Sequence, residues 1–252
     1  MSPSDLISLL PFVGIGFAAQ LVDGALGMAF GVINSTLLMS AMGVSPAAAS
    51  ASVHAVETFT TAASGISHTL HRNVDWKLFL RLMIPGVIGG AIGAYLLSNI
   101  DASVARPFVM AYLGAIGLYL LYRAWHGEHE HRPPRYVEPL GAVGGFLDAA
   151  GGGGWGPVVT SNLLVQGASP RKTVGTVNTA EFFLTATISA TFLWTLGWEA
   201  FTFQTIGILV GGLAAAPFGA VLVKRLSARR LMGFVGGLLV ITCGFSIYSA
   251  LA

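Results

Sequence analysis

Apolar residues run along this chain in long blocks, and polar residues gather between the blocks instead of alternating with them. Pro46 to Leu70, Leu82 to Leu97, Val104 to Leu121, Thr173 to Leu196, Thr202 to Val223 and Leu231 to Ala252 each carry few or no charges. Runs of about 20 such residues are long enough to cross a bilayer as a helix. The pattern predicts an all-α polytopic membrane protein. Two further apolar regions, 6–42 and 139–167, are interrupted by an aspartate and glycines. The second reads "DAAGGGGWGPVV" from Asp148.

The blocks repeat. Asp23 and Asp148 lie 125 residues apart, while Pro46 and Pro170, and Glu57 and Glu181, lie 124 apart. "LVDGALGMAFGVINSTLLMSAMGVSP" stands against "FLDAAGGGGWGPVVTSNLLVQGASP", and "GGAIGAYLL" at Gly89 against "AAPFGAVLV" at Ala215. The expected organisation is an N-terminal repeat over 1–124, a cytoplasmic linker over 125–138 and a C-terminal repeat over 139–252.

Charge sets the orientation, because lysine and arginine collect on the cytoplasmic side. Placing the turn at Arg72, the linker together with Arg123, the Arg171–Lys172 pair and the turn at Lys224 inside puts twelve of the thirteen basic residues there, with Arg106 outside. Residues 139–167 must then leave the cytoplasm and return, yet they are too few for two full spans. A re-entrant hairpin or two half-helices is expected. Residues 6–42 suit either a hairpin or two tilted spans. Each repeat is thus a broken helix pair followed by three transmembrane helices. Three is odd, so the repeats should have inverted topology, a recurrent transporter plan. Both termini should lie outside. Gly86, Gly90 and Ala94, and Gly212, Ala216 and Ala220, supply the small residues that let helices approach in lipid.

Composition agrees: 54% of residues are hydrophobic, 10% are charged and 33 are glycine, with a mean hydropathy of +0.73. The net charge of +2 is spread too thinly to neutralise a row of phosphates, so nucleic acid is not an expected partner. One cysteine, Cys243, forms no internal disulfide. "HGEHEH" from His126 has metal-ligand composition but no second ligand cluster, and reads as a solvated linker. No cofactor or metal is expected. Tyr95, Trp194 and Trp198 suit interfacial anchors.

The glycine run is no nucleotide loop, since Trp155, Gly156 and Pro157 stand where a Walker lysine is needed. Glycine allows unusual backbone angles, and Pro157 suits the first turn of a restarting helix. The N–H groups exposed there favour an anion, although the glycines could equally serve close helix packing. Four acids, Asp23, Glu57, Asp148 and Glu181, lie in apolar segments. Unpaired and charged, they would cost roughly 10 to 14 kcal/mol together. His54 precedes Glu57 by three residues and Asn178 precedes Glu181 likewise, so each pair shares a helix face. His54, Glu57 and Glu181 are candidates for proton coupling, or for structural hydrogen bonds between helices. Asp23 and Asp148 are candidates to fix the breaks as helix caps. Gly27, Asn34, Gly152, Gly153, Gly154, Trp155, Asn162 and Asn178 are candidates to bind a small anionic substrate. Nothing is spaced for catalysis, so an enzyme is not expected.

With its paired "DGALGMAFG" and "DAAGGGGWGPVV" motifs and "SP" turns, nearly the whole chain resembles the TauE/SafE family of sulfite and organosulfonate exporters. The resemblance implies a multi-span inner-membrane protein with two related halves that moves small sulfur-containing anions. By it, Gly24, Gly27 and Gly31 form the first glycine motif, and Gly151 to Gly154 with Gly156 and Pro157 the second. Met28, Ala29 and Phe30 depart from the family's consecutive glycines. The expected function is a secondary transporter of a small anion such as sulfite, coupled to protons. A divalent-cation carrier and a non-transporting membrane scaffold are the alternatives. The exact anion, the transport direction and the oligomeric state, a homo-oligomer included, are not legible.

Overall fold

The computed structural model describes residues 3–26, 28–126, 134–166, 168, 170–201, 203–215 and 228–251. Among them every regular element is a helix. These are α1 (Pro3–Leu26), α2 (Phe30–Ser40), α3 (Pro46–Leu70), α4 (Trp76–Asn99), α5 (Ala102–Trp125), α6 (Val137–Gly151), α7 (Ser161–Val165), α8 (Pro170–Leu196), α9 (Gln204–Ala215) and α10 (Ala228–Leu251). A π-helical turn over Trp155–Thr160 leads into α7, and a 3₁₀ turn over Trp198–Ala200 precedes α9.

Three successive helices start where the sequence supplies an acceptor for orphan N–H groups. Ser45 accepts from the Ala48 N–H, with Pro46 in the first position of α3. Asp75 accepts from Lys77 and Leu78 to start α4, and Asp101 accepts from Ser103 to start α5. The apolar block Leu82–Leu97 is therefore only the middle of α4: the cap, not the loss of charge, sets its beginning. α4 and α5 are each 24 residues long and apolar enough to cross a membrane, spanning about 36 Å. Of the expected span Thr202–Val223, α9 is the part described. Gly27, Ala216, Ala220 and most of the "HGEHEH" linker lie outside the described residues.

The surface and interior reverse the soluble pattern. Leu80, Ile84, Ile88, Ile92 and Tyr95 form an exposed stripe along α4, and Phe234, Ile241, Phe245 and Tyr248 another along α10. Asn34, Ser35, Ser52, His54, Thr160 and Thr185 are completely or almost completely buried. Apolar side chains outside and polar ones inside is the arrangement that lipid as a solvent demands.

Among the described residues five helix pairings dominate, α4 with α8 being one of them. α4 and α6 run in the same direction, Gly141 against Leu82 and Gly93 against Ala149. α1 and α9 also run in the same direction, Gly207 against Leu9 and Phe12, and Gly211 against Val13 and Phe17. α3 and α8 are antiparallel: Thr58 meets Ser189 and Ser64 meets Asn178. α5 and α10 are antiparallel too, Gly114 facing Cys243 and Gly236 facing Leu121. Backbone approach at glycine replaces the hydrophobic effect as the means of helix association in lipid. Gly86 faces the Trp155 ring and Gly90 faces Leu184 and Ile188, so that row of small residues serves two different neighbours.

The ends of these pairs show which elements share a side. The Arg135 N–H donates to the Gln166 side chain, so α6 and α7 form a hairpin whose ends sit together. Arg81 pairs with Glu138, at 2.5 and 3.0 Å, on that same side. Lys172 donates to the Arg72 and Val74 carbonyls there as well. At the other end the Arg106 guanidinium donates to the Met39 carbonyl at the end of α2, and Thr195 donates to Ser98.

Candidate functional site

The two helix breaks meet. A Cβ placed on Gly31, the second residue of α2, would lie 2.8 Å from the Gly153 Cα and 3.1 Å from the Gly152 carbonyl oxygen. At Gly152 φ is 67° and at Gly153 148°, backbone that only glycine adopts without strain. In the first break Ala29 has φ 127°, a conformation that costs a non-glycine residue about 1–3 kcal/mol.

Each break is spanned by an aspartate seven residues before the restarting helix. Asp23 Oδ1 accepts from the Phe30 N–H at 3.2 Å. Asp148 Oδ1 accepts from the Gly154 N–H at 2.6 Å and the Trp155 N–H at 2.8 Å. Glu57 joins from α3, its carboxylate accepting from the Gly31 N–H. Helix N-termini attract negative oxygen through these donors and the helix dipole, and here the protein's own carboxylates occupy them.

The freed carbonyls of the second break are taken up by side chains of the first half. Ser50 Oγ donates to the Ala149 carbonyl at 2.6 Å, Ser35 Oγ to the Gly152 carbonyl, and Tyr112 reaches the Gly153 carbonyl at 3.5 Å. The Gly152 and Gly153 N–H groups return to the Asp148 carbonyl. Irregular backbone thus lies inside a satisfied protein environment, which is the condition for it at membrane depth.

His54 ties the halves together. Its Nε2 lies 3.0 Å from Asp148 Oδ2 and its Nδ1 lies 2.7 Å from the Ser50 carbonyl. A carbonyl can only accept, so Nδ1 carries a hydrogen and donates. The contact between Nε2 and Oδ2 then needs one further proton, held as imidazolium against carboxylate or as neutral imidazole against carboxylic acid. Removing it sets two lone pairs against each other.

The sequence pairing of His54 with Glu57 is therefore corrected. They share α3, but His54 bonds Asp148 across the molecule while Glu57 reaches Gly31. Glu57 Oε2 has no hydrogen-bond partner among the described residues. Glu57 lies within electrostatic range of Asp148, Glu181 and Asp23.

In this conformation Asp148 holds the Gly152 to Gly154 amides on which the anion site is expected, its carbonyl accepting from Gly152 and Gly153 and its carboxylate from Gly154. Trp155 is completely buried, its ring against Gly86 and its indole N–H donating to the Val177 carbonyl at 3.3 Å. That is a packing position. Asn34 is buried beside the first break, donating to the Phe30 carbonyl at 2.8 Å while its Oδ1 has no partner among the described residues. Asn162 is exposed and donates to the Val158 carbonyl of the preceding π-helical turn. Asn178 donates to Ser64, away from the breaks. Gly27 lies outside the described residues. Ser50 and Tyr112 were not anticipated. Ser50 precedes His54 by four residues, a helical-face signal, whereas nothing local marks Tyr112.

Among the described residues no three His, Cys, Asp or Glu side chains converge to hold a metal ion.

A family profile described as "Sulfite exporter TauE/SafE" matches residues 12–245. The chain is also similar to the probable membrane transporter protein YtnM of Bacillus subtilis (strain 168). The two are 44% identical over 242 residues, covering 92% of this chain and 80% of that protein. No solved structure matches the chain.

Proposed function

The chain belongs to the sulfite exporter TauE/SafE family and is an integral membrane transporter; from that premise we propose that it exports a small oxyanion such as sulfite or an organosulfonate by exchange with its own Asp148 carboxylate. The observation that carries this reading is the Asp148 carboxylate seated on the Gly154 and Trp155 amides at the meeting of the two breaks. Sulfite and sulfonate offer those amides the same chemistry, a negative oxygen.

Two anions cannot share two amides, so substrate enters as Asp148 leaves. Transfer of the single proton from His54 Nε2 to Asp148 Oδ2 neutralises the acid and weakens its hold, because charge-assisted hydrogen bonds are about twice as strong as neutral ones. Glu57 and Glu181, on α3 and α8, pass protons to and from the site, and Asn34 Oδ1 and Glu57 Oε2 face the first break as additional polar groups. Asp23 performs the same capping role in the first half.

Alternating access follows from inverted repeats, residues 1–124 and 139–252, joined by a cytoplasmic linker over 125–138. Two features support this reading. The corresponding helices α3 and α8, and α5 and α10, run in opposite directions, and the α4–α6 and α1–α9 pairs correspond under exchange of the halves. One hairpin enters from each side and their tips touch, so rocking one repeat against the other exposes the tips to either face in turn. In this arrangement both termini lie outside the bacterial inner membrane.

Sulfite binding to the purified protein tests the exchange. Asp148→Asn, which mimics the neutral acid, should bind sulfite more tightly than wild type at neutral pH. Equal or weaker binding by a folded Asp148→Asn protein contradicts it.

A further inference from the structure

Two apolar clefts open on the α3–α8 seam, and they are copies of each other. One, of about 420 Å³, is walled by α3, α4 and α8; the other, of about 790 Å³, by α3, α8 and α9. Phe79 lines the first and Phe203 the second, Phe183 and Phe59 likewise, and Gly65 and Ser189 likewise. Each pair is 124 residues apart, the period of the sequence repeat. Neither cleft is lined by a charged residue.

Two of the three threonines lining the first cleft satisfy their hydroxyls within their own helices, Thr61 Oγ1 donating to the Glu57 carbonyl and Thr179 Oγ1 to the Gly175 carbonyl. Its mouth is framed by Leu70 and Trp76, both well exposed, and beyond them the turn into α4 carries exposed Arg72 and Lys77. The nearby Asp75 carboxylate is engaged by the Lys77 and Leu78 N–H groups, and Lys172 is occupied by backbone carbonyls. The second cleft opens instead beside Trp198 and exposed Glu199.

We propose that the first cleft is a binding site for an anionic phospholipid, one acyl chain lying in the groove and the phosphate held by Arg72 and Lys77. An apolar groove ending at a cationic turn matches an acyl chain ending in a negative headgroup, which is charge complementarity the twin cleft lacks. The twin, bordered by an acid, takes an acyl chain without preferring a negative head.

The test uses the full-length protein in detergent, titrated with phosphatidylglycerol or phosphatidylcholine and followed by native mass spectrometry and thermal unfolding. Phosphatidylglycerol should be retained preferentially and raise the unfolding midpoint further. Each basic side chain near such a headgroup is worth roughly fivefold in affinity, so Arg72→Ala with Lys77→Ala should weaken phosphatidylglycerol binding about 25-fold and erase the preference. Ala62→Phe, which fills the first cleft, should reduce binding, whereas Ala190→Phe in the twin should leave the preference intact. A cooperative thermal unfolding transition reports that each variant is folded. Equal retention of the two lipids overturns the proposal. So does unchanged phosphatidylglycerol binding by Ala62→Phe, or a second copy of the chain on this face, detected as an Ile66→Cys cross-linked dimer that added lipid does not dissolve. None of these readings depends on which anion is carried.

Discussion

His54 Nε2 lies 3.0 Å from Asp148 Oδ2 with both side chains buried, a link between α3 and the tip of the opposing hairpin. Because the His54 Nδ1 hydrogen is committed to the Ser50 carbonyl, one proton in this contact decides whether the two elements hold together. His54→Ala should lower stability by about 3–5 kcal/mol, the cost of leaving one member of a buried pair alone. Adding Asp148→Asn to it should recover part of that loss. Chemical or thermal unfolding in detergent measures both, and an additive double variant would separate the two residues energetically.

Glycine at the meeting point can be tested against glycine elsewhere. At Gly153 φ is 148° and its Cα packs on Gly31, so Gly153→Ala should cost at least about 1–3 kcal/mol and abolish flux. At Gly14 nothing lies within 4 Å of an added Cβ, and Gly14→Ala in the interior of α1 should be neutral or gain up to about 1 kcal/mol. Equal effects at the two sites would show that the breaks are not tightly apposed.

Ala29 gives the opposite sign. Its φ of 127° is strained, so Ala29→Gly should raise stability by about 1–3 kcal/mol. Unfolding midpoints of the two proteins decide it.

The α5 cap gives a dependence on pH. Asp101 accepts from the Ser103 hydroxyl and N–H, which holds its carboxyl below the ordinary aspartate value. A lowered folded-state pKa stabilises above the unfolded value and is lost as pH falls. The contribution should be constant above about pH 5 and fade below about pH 4, while Asp101→Asn should show no such loss. The difference in unfolding midpoint between the two proteins, followed from pH 7 to pH 3, checks it.

Much of this arrangement was legible because it is local. Asp23 and Asp148 each close a short loop of their own chain, so an aspartate ahead of glycines and a restarting apolar run already marks a cap. The hairpin over α6 and α7 followed from length and from the side on which arginines must fall. What was not legible is which residues face each other across the fold. A three-residue spacing puts His54 and Glu57 on one face of α3, yet the partner is chosen by whatever packs opposite, and there Asp148 meets His54 while Gly31 meets Glu57. Tryptophan beside a glycine run looks like a ligand contact; Trp155 instead fills the space left by Gly86. The beginning of α4 was misplaced because Lys77 and Arg81 ended the apolar block, although Asp75 had already started the helix.

Glu57 and Glu181 carry the coupling in this account, so the Glu57→Gln, Glu181→Gln double variant should retain sulfite binding and lose the response of flux to a pH gradient by at least about tenfold, within the range of proton-transfer contributions. Binding and flux on one preparation separate the two effects.

The central claim, exchange of a substrate oxyanion with a protonated Asp148, is tested most directly by recording proton and sulfite movement together in proteoliposomes. Wild type should move protons in fixed ratio with sulfite, and Asp148→Asn should move sulfite, if at all, without them. Sulfite flux in wild type with no accompanying protons, or coupled flux that survives Asp148→Asn unchanged, would contradict it.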